Sequence, residues 1–156
     1  MFNVPFTEIL LAGLAALLVA AAVIDARTFT ISNRLNVTVA ALAPLYWLSA
    51  ALSLPDIAIQ LAAGVAVFTI LAGAFYAGMM GGGDVKLAAA LALWFPPGVT
   101  VKFLVLMSIA GGVLTLGLVG WHRARRREGR PQIPYGVAIA FGALAILAQR
   151  FLNQFA

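Results

Sequence analysis

Apolar residues fill most of this chain in six runs that are separated by short polar segments. The runs cover residues 6–24, 35–54, 57–76, 85–95, 101–121 and 134–152. A helix of about 20 residues is roughly 30 Å long, which is the thickness of a bilayer's hydrocarbon core. Five runs have this length, and the pattern therefore predicts an all-α, polytopic membrane protein.

The fourth run, residues 85–95, is the exception, because a helix of this length covers only about 16 Å. It is either re-entrant or crosses the membrane with one end drawn inwards. Other local signals predict a kink at Pro44, a tight turn at Pro55-Asp56 and Asp56 as the cap of the third helix. Close helix packing is expected at the glycines of the later helices, namely Gly64, Gly73, Gly111, Gly112, Gly117, Gly136 and Gly142.

The composition supports a membrane protein, because 63% of the 156 residues are hydrophobic and 10% are charged. A soluble domain would have about 45–50% apolar residues. We expect one membrane-embedded domain over residues 1–156. The chain has no cysteine, which excludes disulfides, thiolate zinc sites and cysteine nucleophiles. Its single histidine, His122, cannot form a metal site alone. We expect no metal and no cofactor.

The net charge of +5 is explained by topology rather than by nucleic acid. If the fourth run crosses, the loops at 26–34, 78–86 and 122–133 share one side. That side holds Arg27, Arg34, Lys86, Arg123, Arg125, Arg126, Arg127 and Arg130, and the other side holds Lys102 and Arg150. Since Lys and Arg concentrate in cytoplasmic loops, we predict six transmembrane helices with both termini outside. The arginine cluster is expected to attract anionic lipids of the membrane, and no nucleic-acid partner is expected.

Two aspartates stand at the cytoplasmic ends of apolar runs in this topology. Asp25 ends the first run, and Asp84 follows Gly81, Gly82 and Gly83 at the start of the fourth. Two carboxylates within hydrogen-bonding reach share a proton, so one can activate water while the other polarises a peptide carbonyl. This is the chemistry of aspartic proteases. The glycines would let a substrate backbone come close or would adopt positive φ.

These residues resemble the type IV prepilin peptidases, which are GxGD aspartic peptidases of the bacterial and archaeal inner membrane. The resemblance is carried by Asp25, Arg27, Ile31 and Asn33, by GGGDVK at residues 81–86, and by Pro134, Tyr135 and Gly136. It implies that Asp25 and Asp84 are the catalytic pair. It also implies that the substrate is the basic leader of a prepilin or pseudopilin, cut at the cytoplasmic membrane face.

The chain departs from the family pattern in two places. Ser32 stands where members often have proline. The amino-terminal domain with paired CxxC motifs, found in larger members that also N-methylate their product, has no counterpart here. The chain thus resembles the short, peptidase-only members that serve Flp/Tad pili, and N-methyltransferase activity is not implied.

Six of the site residues also have a structural alternative. Asp84 could cap the fourth helix, and Asp25 could be an interfacial carboxylate paired with Arg27. Lys86 and Arg27 either hold substrate or anchor helix ends at headgroups. Asn33 either caps the second helix or belongs to the site, and Tyr135 either lines a substrate groove or only starts the last helix. The alternative functions are a small proton-coupled transporter and a non-catalytic inner-membrane subunit of a pilus or secretion machine.

Overall fold

The computed structural model describes residues 4–126, 129 and 131–154, which form six α-helices and no strand. The helices are α1 (Val4–Thr28), α2 (Asn33–Ser49), α3 (Leu54–Tyr76), α4 (Gly82–Ala92), α5 (Pro97–Ala124) and α6 (Tyr135–Gln154). The predicted all-α fold is confirmed, and each helix overlaps one apolar run. Within the described residues, α1, α3, α5 and α6 are long and apolar enough to cross a membrane. The helices α2 and α4 are shorter, with 17 and 11 residues.

Serine, rather than the predicted residue, caps the third helix. The hydroxyl of Ser53 accepts a hydrogen bond from the Asp56 amide at 3.3 Å, and α3 begins at Leu54. The predictions of a Pro55-Asp56 turn and of an Asp56 cap are therefore wrong. Proline suits the first helical positions, where its missing N–H costs nothing, and serine is as good a cap as aspartate.

The second helix is also capped by serine. The hydroxyl of Ser32 accepts a hydrogen bond from the Leu35 amide at 3.3 Å, and Asn33 is the first residue of α2. The capping alternative for Asn33 is therefore wrong, and its side chain is available for another contact. Pro44 lies inside α2.

The shortest helix, α4, lies at the centre of the bundle. It packs against α2, α3 and α6, and seven of its eleven residues are buried. Leu87 and Leu91 are fully buried, as expected of a helix that is apolar on all sides. In the long helices α3 and α5, by contrast, only 17% of the residues in the most apolar 18-residue segment are buried. Their exposed apolar surface is what a lipid-facing helix presents.

Two tryptophan side chains form hydrogen bonds that join the carboxyl-terminal end of α4 to α2. Trp47 Nε1 donates to Leu93 O at 2.8 Å, and Trp94 Nε1 donates to Val39 O at 3.0 Å. Trp94 also stacks on Tyr46, with the ring centroids 5.2 Å apart. Each buried indole N–H thus has a partner, and Leu93 O is one of the terminal carbonyls that the helix cannot satisfy itself.

Some of the predicted close helix contacts are present and others are not. A Cβ atom at Gly64 would lie 2.7 Å from Leu93 Cδ2, and one at Gly142 would lie 3.0 Å from Met107 N. These two glycines let α3 approach α4 and let α5 approach α6. The same prediction is wrong for Gly73, Gly112 and Gly117, where nothing lies within 4 Å of the added atom.

The helices α5 and α6 are staggered. A Cβ atom at Gly111 would lie 3.5 Å from the Tyr135 ring, so α6 begins level with the middle of α5. The remainder of α5, residues 112–124, continues past that level by about 20 Å. The predicted arginine cluster begins at this far end, and its members Arg127 and Arg130 lie outside the described residues.

Candidate active site

Three helix ends meet around the two aspartates. Asp25 lies in the last turn of α1, Asp84 in the first turn of α4, and Gly136 in the first turn of α6. Both carboxylates are buried, with 2% of Asp25 and 8% of Asp84 exposed. Asp25, whose structural alternative was an interfacial carboxylate paired with Arg27, is thus buried at the end of α1.

The start of α6 holds the Asp25 side chain. Gly136 N donates a hydrogen bond to Asp25 Oδ2 at 2.7 Å. The first amides of a helix have no partner within the helix, so they are free to bind a carboxylate. A Cβ atom at Gly136 would lie 2.8 Å from the same oxygen, and only glycine permits this approach. The sequence motif included Gly136 but did not indicate its role as a donor.

Ile31 packs between the starts of α4 and α6. A Cβ atom at Gly83 would lie 2.8 Å from Ile31 O, and a Cβ atom at Gly136 would lie 2.6 Å from Ile31 Cδ1. Ile31 is itself buried in the connection from α1 to α2. The side chain and backbone of this one residue therefore link the elements that carry Asp84 and Asp25.

The glycines before Asp84 serve close packing and not positive φ. Gly81 has φ −74° and ψ 145°, and the glycines with positive φ among the described residues are Gly78 and Gly129. Of the two roles expected for the glycines at 81–83, the positive-φ alternative is therefore wrong. Gly82 instead packs on Phe75, whose Cε2 would lie 3.3 Å from an added Cβ atom. In this region the left-handed conformation occurs at Gly78, just after the end of α3.

Asp84 lies in the first turn of α4, and Gly81 occupies the capping position. A Cβ atom at Gly81 would lie 2.8 Å from Asp84 Oδ2, so the carboxyl group lies close to the start of its own helix. The contacts of Ile31 with Gly83 and Gly136 bring the elements that carry Asp84 and Asp25 together at one end of the bundle.

Two polar contacts from α2 hold the start of α4. Asn36 Nδ2 donates to Gly83 O at 3.0 Å, and Lys86 Nζ donates to Asn33 Oδ1 at 2.9 Å. Asn36, which is 4% exposed, was not singled out from the sequence. The available signal was a polar residue inside an apolar run, one turn after Asn33. Asn33 and Lys86 contact each other rather than the carboxylates.

The remaining predicted site residues lie further from the pair. Arg27 is exposed on the last turn of α1, and within the described residues no hydrogen bond joins it to either aspartate. Tyr135 is half-buried and lines a cavity of about 420 Å³ between α3 and α5, together with Met79, Met80 and Met107. No cluster of three or more His, Asp or Glu side chains that could hold a metal occurs in the described part of the chain.

The arrangement supplies the groups needed for general acid–base chemistry on a peptide. Two buried carboxyl groups at the same end of the bundle favour a state in which a single proton is held between them. The ionised member can accept a proton from water, and the protonated member can donate one.

Comparison with known proteins agrees with the geometry. The model of the type IV leader peptidase family matches residues 12–116, whereas no curated protein and no solved structure matches the chain. The matched segment contains both Asp25 and Asp84, and Gly136 lies beyond it. Because the match covers more than half of the chain, this membrane protein belongs to the type IV leader peptidase family.

Proposed function

We propose that the chain is an aspartic endopeptidase that removes the basic leader from prepilin-like precursors of the Flp type, at the cytoplasmic face of the bacterial inner membrane. Family membership supports a peptidase that acts on prepilin-type leaders. The single observation that supports the aspartic mechanism is the buried pair of Asp25 and Asp84. The choice of Flp-type precursors, and the absence of N-methylation, rest on the sequence resemblance alone.

In the proposed reaction, ionised Asp25 takes a proton from a water molecule, and the hydroxide attacks the scissile carbonyl carbon. Protonated Asp84 gives its proton to the carbonyl oxygen, which yields a neutral tetrahedral diol. Asp25 then passes its proton to the leaving amine as the C–N bond breaks. Asp84 recovers a proton from one diol hydroxyl, and the original protonation state returns.

We also propose the topology in which both termini lie outside and the chain crosses six times. The fourth passage is then formed by α4 together with residues 93–96. The support is the distribution of cations, because Arg27, Arg34 and Lys86 lie at the end of the bundle that contains the aspartates. Reporters fused after residues 30, 79 and 126 should all report the cytoplasm, and an external signal after residue 126 alone would show that α4 does not cross.

The mechanism is tested by Asp25→Asn and Asp84→Asn, each co-expressed with a prepilin. Either change should lower cleavage by about 10²–10⁴-fold, because each removes one proton-transfer group. Asp56→Asn is the matched control, since Asp56 is exposed at the start of α3. It should cleave like the wild type. Immunoblots of washed membranes show whether each variant inserts.

The same experiment separates the alternative functions. Retained processing in either inserted variant would contradict the paired-carboxylate mechanism and favour a non-catalytic subunit. A transporter would leave the prepilin uncut even with the wild-type chain, and reconstituted vesicles would then show proton flux. Both carboxylates lie at one end of their helices, which fits a site at the membrane surface better than a relay across it.

A further inference from the structure

A second and larger cavity, of about 630 Å³, lies between α2, α3 and α4, and we name it the α2–α4 groove. Its polar residues are Asn33, Asn36 and Lys86. Most of its remaining wall is apolar and includes Val37, Ala40, Leu61, Val65, Phe68 and Leu93. The groove thus has a polar and an apolar part, which is the distribution of polarity expected of a binding site for an amphipathic ligand.

The groove runs along the helices and is open to the outside of the bundle. Lys86 and Leu93 mark its extent on α4, and seven residues of helix span about 10 Å. This is about two thirds of one leaflet of the hydrocarbon core. Val65 and Phe68 are 67% and 46% exposed on α3, so the apolar part can be reached from the lipid.

The polar end of the groove carries a cation that is paired with a neutral group. Lys86 Nζ contacts the neutral Asn33 amide, and Asp84 points to another side because residues two positions apart do not share a helix face. The Lys86 side chain is exposed and lines the groove, so an anionic group in the groove can reach it.

We propose that the α2–α4 groove binds one anionic phospholipid. The phosphate contacts Lys86, and one acyl chain lies along Val65 and Phe68. Phosphatidylglycerol has this chemistry, and the leaflet that faces Lys86 in the proposed topology is the one rich in anionic lipid. A basic leader peptide would be repelled by Lys86. The lipid site does not depend on the peptidase mechanism, because it lies in a different cavity.

The headgroup contact is tested by native mass spectrometry of the full chain in detergent with phosphatidylglycerol or phosphatidylcholine of identical acyl chains. The wild type should bind one phosphatidylglycerol in preference to phosphatidylcholine. Lys86→Gln should lower that preference about fivefold, the effect of one lysine beside an anionic headgroup. Arg34→Gln is the control, since Arg34 is exposed at the same end of α2 and does not line the groove.

The acyl part is tested by filling the groove. Val65→Trp should lower phosphatidylglycerol binding at least fivefold, whereas Val113→Trp should not, although both valines are 67% exposed on long apolar helices. Equal binding of the two lipids by the wild type would overturn the proposal, as would unchanged binding by both Lys86→Gln and Val65→Trp. A photo-crosslinker at residue 65 that captured the prepilin instead of lipid would also overturn it.

Discussion

Gly136 N donates a 2.7 Å hydrogen bond to Asp25 Oδ2, which joins residues that are 111 positions apart. The bond fixes the carboxylate at the end of α1 to the start of α6. It requires a residue without a side chain, because a Cβ atom there would meet both Asp25 and Ile31 at under 3 Å. The position of one candidate catalytic group therefore depends on how the last helix packs.

Gly136→Ala should disrupt this contact. We expect a loss of stability of about 1–3 kcal/mol from overpacking, and a fall in cleavage of at least tenfold because Asp25 is displaced. Thermal unfolding in detergent and cleavage of a purified prepilin measure the two effects. Gly117→Ala is the control: nothing lies within 4 Å of its added Cβ atom, so stability should be unchanged or slightly increased. Equal behaviour of the two variants would contradict this account of Gly136.

Asn36→Ala should reduce activity without touching a carboxylate. The change removes the hydrogen bond to Gly83 O, which lies next to Asp84, at a cost of about 1–3 kcal/mol. Because the substrate contacts are not altered, we expect kcat to fall and KM to stay nearly constant. Thr69→Ala is a suitable control, since the Thr69 hydroxyl bonds only within its own exposed helix. A rise in KM at constant kcat would instead assign Asn36 to substrate binding.

The two buried tryptophans should contribute to stability and little to catalysis. Trp47→Phe and Trp94→Phe each remove one indole donor to a backbone carbonyl and should cost about 1 kcal/mol or more. Cleavage at a temperature well below the unfolding transition should persist, because Asn36 still holds the other end of α4. Trp121→Phe, at an indole that is 58% exposed, should change stability by less than about 0.5 kcal/mol. An inactive but fully stable Trp94→Phe protein would show that α4 is positioned mainly by this end.

The linear sequence determined the class of the protein and the chemistry to look for. Helix length and apolar content are local properties, so the six helices and the central Asp84 motif follow from the order of residues alone. The predicted ends of α2 and α3 were less accurate, because Ser32 and Ser53 compete for the same capping positions as Asn33 and Asp56.

The groups that complete the site are set by packing between distant helices. The Gly136 amide, the Asn36 side chain and the buried position of Ile31 each depend on contacts between helices that are distant in the chain. The same holds for the glycines before Asp84, which pack against Ile31 and Phe75 instead of adopting positive φ. Periodicity and motif spacing report which residue types are present, whereas burial and hydrogen-bond partners are set only when separate helices pack together.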